Sequence, residues 1–129
     1  MKRRLVILSE EDWLISGLQS EIGLISNRMI TPVEVNVVKT WEELLECFNE
    51  GGVFATVVDV LGDYEEYFEG ALRDAPLLQN SLNIFLYKEL DNKTSAILHE
   101  FNAMGISKEH IQFESLMRLL FDIRDYNLN

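Results

Sequence analysis

The stretch "VFATVVDVLGD" (Val53–Asp63) decides the fold. Its first residues are apolar almost without a break and rich in β-branched side chains. That is the pattern of a strand covered on both faces, which belongs near the centre of a parallel sheet. Asp59 comes where the chain leaves the core. An acid at that point is either a chemical group or the first polar residue at the solvent-facing end of a strand.

Working outward, "RLVILS" (Arg4–Ser9) and "LNIFLY" (Leu82–Tyr87) read as two further buried strands. "VEVNVV" (Val33–Val38) alternates valine with Glu34 and Asn36, which suits an edge strand with one wetter face. "HIQF" (His110–Phe113) is the best candidate for a short fifth strand. Between the strands, Leu14, Leu18, Ile22 and Ile25 share one helical stripe. Thr40 and Glu43 form a capping box for a second helix bearing Trp41, Leu44, Leu45 and Phe48, stopped by Gly51 and Gly52. Tyr64, Tyr67, Phe68, Ala71 and Leu72 predict a third. Asp91 or Asn92 can cap a fourth, with Ile97, Leu98, Phe101 and Met104 on one face and Gly105 behind it. Ser115 can cap a fifth, with Leu116, Leu119, Leu120 and Ile123 inward.

Strands alternating with helices imply parallel pairing, right-handed crossovers and helices on both faces. The expected architecture is an open three-layer α/β sandwich of the flavodoxin/CheY-like class, a five-stranded parallel sheet in the order 2-1-3-4-5 with five helices. That order puts the alternating second strand at an edge and the first and third inside. The 129 residues suit one domain, 1–129, which could stand at the N-terminus of a longer protein.

Hydrophobic residues make up 47% of the chain and charged residues 26%, enough for a real core. The formal charge of −11 repels phosphate backbones and anionic lipid, so neither nucleic acid nor membrane is the expected partner. Cys47 is the only cysteine, which excludes an internal disulfide and fits a cytoplasmic setting. Flanked by Leu44, Leu45 and Phe48, it reads as a packed thiol. His99 and His110 lack ligand spacing, and His99 reads as a helix-surface residue. Trp13 and Trp41 read as core-edge aromatics. There is no glycine-rich phosphate loop and no complete catalytic constellation, so an enzyme is not expected.

The order of elements, with an acid ending the third strand, resembles the receiver domain of bacterial response regulators, the phosphoaccepting half of two-component signalling. In that family an acidic pair after the first strand holds Mg²⁺. The Asp after the third strand is phosphorylated, and a Thr or Ser after the fourth and a Lys-Pro after the fifth read the phosphoryl oxygens. Mapped onto this chain, the pair falls on Ser9 and Glu10, with Glu11 and Asp12 following, and Asp59 takes the phosphoacceptor position. Tyr87 takes the Thr/Ser position with Lys88 beside it, and Phe113, or Gln112 in the other register, stands where the lysine is expected, with Glu114 in place of proline. A phenylalanine supplies no positive charge, a tyrosine cannot make the small inward move of a threonine hydroxyl, and a serine is a poorer hard-cation ligand than a carboxylate.

The resemblance therefore implies an atypical, pseudo-receiver domain: a non-catalytic module acting through a protein partner or as a homodimer, independently of phosphate. The alternatives are a divergent phosphoacceptor using Asp59 and Mg²⁺, with Glu10 and Glu11, and a small flavodoxin-like ligand binder or enzyme. Lys88 is expected to pair with Asp59 and partly replace the missing cation. No cofactor is implied beyond a weak Mg²⁺ or Ca²⁺ site on Glu10, Asp59 and neighbouring acids. The plainer reading of the "SEED" run is a helix start favouring negative charge. The helix over Ser115–Ile123 carries more apolar surface than one face needs. In receivers the face built from the fourth helix, fifth strand and fifth helix is the usual docking surface, and the resemblance makes Phe101, Met104, Met117, Phe121 and Tyr126 the interface candidates.

Overall fold

The computed structural model describes residues 3–26, 28–59, 81–100 and 103–121. The strands are β1 (Arg3–Leu8), β2 (Val33–Val38), β3 (Val53–Asp59), β4 (Leu82–Tyr87) and β5 (Met104–Ser107). They pair in parallel in the order β2-β1-β3-β4-β5, as the alternation of elements and the burial of "VFATVVD" require. The described helices are α1 (Asp12–Ser26), α2 (Trp41–Glu50), α3 (Asn92–Glu100) and α4 (Phe113–Leu120). The helix predicted over 64–72 lies outside the described residues, as do Phe101 and Tyr126.

The period-two alternation of the central strands sorts the core into two layers. Leu5 and Ile7 of β1, Ala55 and Val57 of β3, and Ile84 and Leu86 of β4 face α1 and α4, whose Leu14, Leu18, Leu116 and Leu120 close over them. Val6, Leu8, Val58 and Phe85 face the other way, against Trp41, Leu44 and Cys47 of α2. Each buried aliphatic side chain contributes about 1.5–3 kcal/mol, so these layers drive the fold. Cys47 is a buried thiol, as the flanking leucines imply, and desolvation pushes its pKa up. His99 is exposed on α3.

The capping box of α2 forms. Thr40 Oγ1 accepts from Glu43 N at 3.2 Å, while the Glu43 carboxylate reaches back to Lys39 N at 3.4 Å. Gly51 ends the helix at φ 90°, a left-handed conformation that costs glycine nothing.

Several expectations fail, most of them from one cause. The fifth strand is Met104–Ser107, not His110–Phe113. Met104 completes a helical spacing in the sequence, but α3 has already ended: Ala103 N turns back to Leu98 O at 2.9 Å and the chain extends. Gly105 is not a helix stop but a strand glycine under close packing. A Cβ there would lie 2.6 Å from Leu98 Cδ1 and 3.1 Å from Tyr87 Cε1. Phe113 therefore opens α4, and that helix turns with a different phase. Met117 and Phe121 are buried at 4% exposure, whereas Leu119 is 41% exposed. Met117 and Phe121 are core, not interface, with Phe121 tilted against Phe54 at 5.6 Å between ring centroids. Trp13, expected at the core edge, is 48% exposed.

Candidate functional site

The carboxyl edge of the sheet gathers five side chains from four strand ends. Asp59 closes β3 and is 2% exposed. Ser9 follows β1 and donates its hydroxyl to Asp59 Oδ2 at 2.8 Å. The same Ser9 oxygen accepts from Glu11 N at 3.1 Å, so one hydroxyl fixes both the acid and the turn into α1. Lys108 follows β5 directly, and its Nζ lies 2.8 Å from Asp59 Oδ1 and 2.6 Å from Glu11 Oε1. The second Glu11 oxygen, Oε2, accepts the indole N–H of Trp13. Lys39, at the end of β2, donates to Ser9 O at 3.0 Å and ties the β1–α1 turn to the edge strand.

Asp59 Oδ1 lies within ion-pair distance of the ammonium but takes no aligned hydrogen bond, so charge rather than direction holds it. Burial works to lower the pKa of Lys108, yet the Asp59 and Glu11 carboxylates prevail together and raise it. Glu11 titrates low chiefly because of its hydrogen bond to Lys108, with smaller help from the Trp13 N–H and against a desolvation penalty. The cluster holds two carboxylates around one ammonium; Asp59 is fully shielded from water, where such pairing is stronger, while Glu11 is partly exposed.

Sequence reasoning missed Lys108. It carries the charge assigned in expectation to no residue of the fifth strand, and it stands one residue beyond the true strand end, followed by Glu109 rather than proline. Phe113 is not in the pocket. It packs on α1, where its ring fills the space a Cβ at Gly17 would occupy and meets Trp13 edge-on at 6.3 Å between centroids. Lys88 is exposed and acts on Glu11 through space alone; the partner of Asp59 is Lys108 instead. Tyr87 ends β4 with its ring beside Gly105, and Glu10 is exposed.

The resemblance implies Mg²⁺, and these residues do not fit it. A hard divalent cation wants several converging oxygens. Here Ser9 replaces one acid and donates to Asp59, and the Lys108 ammonium occupies the space between the two carboxylates. Among the described residues no group of three or more carboxylate, imidazole or thiolate side chains converges.

No protein-family model matches the sequence, and no curated protein matches it either. Solved structures do. The signal receiver domain of an HD domain-containing protein from Pseudomonas fluorescens Pf-5 superposes with a TM-score of 0.71 at 13% identity, covering 92% of this chain and 83% of that one. The signal receiver domain of a modulated diguanylate cyclase from Desulfovibrio desulfuricans G20 gives 0.68 at 19% identity, over 92% and 90% of the two chains. A CheY-like protein, TadZ, from Pseudomonas aeruginosa PAO1 gives 0.62 at 15% identity, over 91% and 95%. The chain thus has the CheY-like receiver fold, and at these identities the likeness is one of fold. No helix among the described residues is long and apolar enough to cross a membrane.

Proposed function

We propose that the chain is a receiver-type signalling module of the cytoplasm that acts by binding protein, a second copy of itself included, and that its output does not depend on phosphorylation. One observation carries this reading: both oxygens of Asp59 are engaged from within the chain. Oδ2 takes the Ser9 hydroxyl at the position where a receiver has a metal-binding acid, and Oδ1 faces Lys108. A phosphodonor approaching Asp59 meets a serine in place of one metal-binding acid and a tyrosine where the mobile hydroxyl belongs. Met104 of β5, at 41% exposure, remains an apolar candidate for the contact surface.

Incubation with acetyl phosphate and Mg²⁺, followed by intact mass, tests the reading. The expected mass is unchanged. A stoichiometric phosphate adduct that disappears in Asp59→Asn overturns it and establishes the second reading, a divergent phosphoacceptor. That alternative draws its support from Lys108, which supplies the cation that reads phosphoryl oxygens in receivers. Sedimentation at high concentration tests self-association, with a concentration-dependent dimer expected.

A further inference from the structure

The pocket does not end at Lys108. From Asp59 the contacts run without a gap to the surface: Asp59 Oδ1 to Lys108 Nζ, Lys108 to Glu11 Oε1, Glu11 Oε2 to the Trp13 indole, and the Trp13 ring to the edge of Phe113. Phe113 is the first residue of α4 and is seated on Gly17, where a Cβ would collide with its ring. Two of these links are hydrogen bonds, the first is an ion pair held by charge alone, and the last is an edge-on ring contact.

We propose that Glu11 is a latch coupling the pocket to the α1–α4 seam: it shares Lys108 with Asp59 and, with its other oxygen, sets the orientation of Trp13 against Phe113. Lys108 has one ammonium for two carboxylates. Any change at Asp59 that draws the ammonium toward β3, or releases it, alters what Glu11 can hold. Glu11 in turn controls whether the Trp13 N–H keeps its acceptor. The state of a buried acid is thereby read at the entry to α4 through a tryptophan, with no small hydroxyl at the end of β4 required. The coupling stands whether or not Asp59 accepts phosphate, since it depends on the charge at Asp59 and not on what changes that charge.

The indole N–H resonances of the ¹⁵N-labelled protein test it, because Trp13 lies on the path and Trp41, buried among α2 and the far face of the sheet, does not. Asp59→Asn keeps the shape of the side chain and removes its charge. The Trp13 indole resonance should move in Asp59→Asn and in Lys108→Met, and should move upfield in Glu11→Gln as the charged acceptor is lost. The Trp41 resonance should stay in place in all three. Glu11 is partly exposed, so Glu11→Gln remains folded and readable even if Lys108→Met does not. An unmoved Trp13 resonance in folded Asp59→Asn means that the pocket and the seam are independent, and the latch is then wrong. Equal movement of both tryptophans in Asp59→Asn reports a general loosening and overturns it too.

Discussion

The two ends of the sheet each bury one cation, and they bury it in opposite ways. At the amino end Arg4, 8% exposed, spreads its guanidinium over neutral partners. It donates to Asn36 Oδ1 at 2.9 Å, Cys47 O at 3.1 Å and Gly51 O at 3.3 Å. Its acids, Glu50 at 3.2 Å and Glu34 at 4.0 Å, remain largely in water. At the carboxyl end Lys108 faces two carboxylates, one of them with a side chain that is 0% exposed. The arginine fork ties β1, β2 and α2 with several hydrogen bonds from one planar group. The lysine is a point charge shared between two acids, and a shared charge can be redistributed. The first arrangement is a staple; the second has the makings of a site.

Removing each cation separates the two cases. Lys108→Met leaves Asp59 buried without a counter-charge and should lower stability by about 3–5 kcal/mol in urea unfolding. Asp59→Asn in the same background should restore most of that loss, since the uncompensated charge is what makes the single change costly. A double variant no more stable than Lys108→Met alone would break the comparison, because Asp59 would then not be the group that Lys108 neutralises. Arg4→Met leaves an amide and two carbonyls short of donors and should cost about 1–3 kcal/mol, with no rescue from changing either acid.

The pH dependence sharpens the contrast on the lysine side. Glu11 is held low in the folded state, so its contribution is complete above the unfolded value of about 4.3 and is lost as pH falls through the lower folded value. Lys108 is held high, so its contribution is complete below about 10.4 and is lost as pH rises through the higher folded value. Thermal melts of Glu11→Gln should show the acid-side dependence reduced. Smallest of all, Glu34→Gln should change stability by less than about 0.5 kcal/mol, as expected for a half-exposed acid at the limit of ion-pair distance.

The sheet order and the acid at its centre were legible because both follow from burial. "VFATVVD" can only be central, "VEVNVV" suits an edge, and Asp59 and Ser9 fall at strand ends whatever the tertiary detail. The α2 cap was legible because Thr40 and Glu43 act within one turn. Lys108 was hidden by a local ambiguity. "MGIS" is four residues long and contains a glycine, while Met104 continues the spacing of Leu98 and Phe101. A short glycine-containing strand has little signal of its own, and its glycine is explained only by Leu98 lying across it, a contact between elements. The error then propagated, since misplacing the strand misplaced the lysine and turned α4 by enough to exchange Leu119 with Met117.

The bond between Lys108 and Glu11 joins residues 97 positions apart, and it has a consequence for the order of assembly. A growing or refolding chain can pair β1, β2, β3 and β4 before residue 108 arrives, but Asp59 is then enclosed with no ammonium beside it. Such a partial sheet carries an electrostatic penalty that only the last strand removes. Closing so long a loop is slow, and the species before it is disfavoured, which pushes the domain toward a single cooperative transition. In a chain cut before β5, Asp59 lacks its Lys108 partner and the sheet should not consolidate.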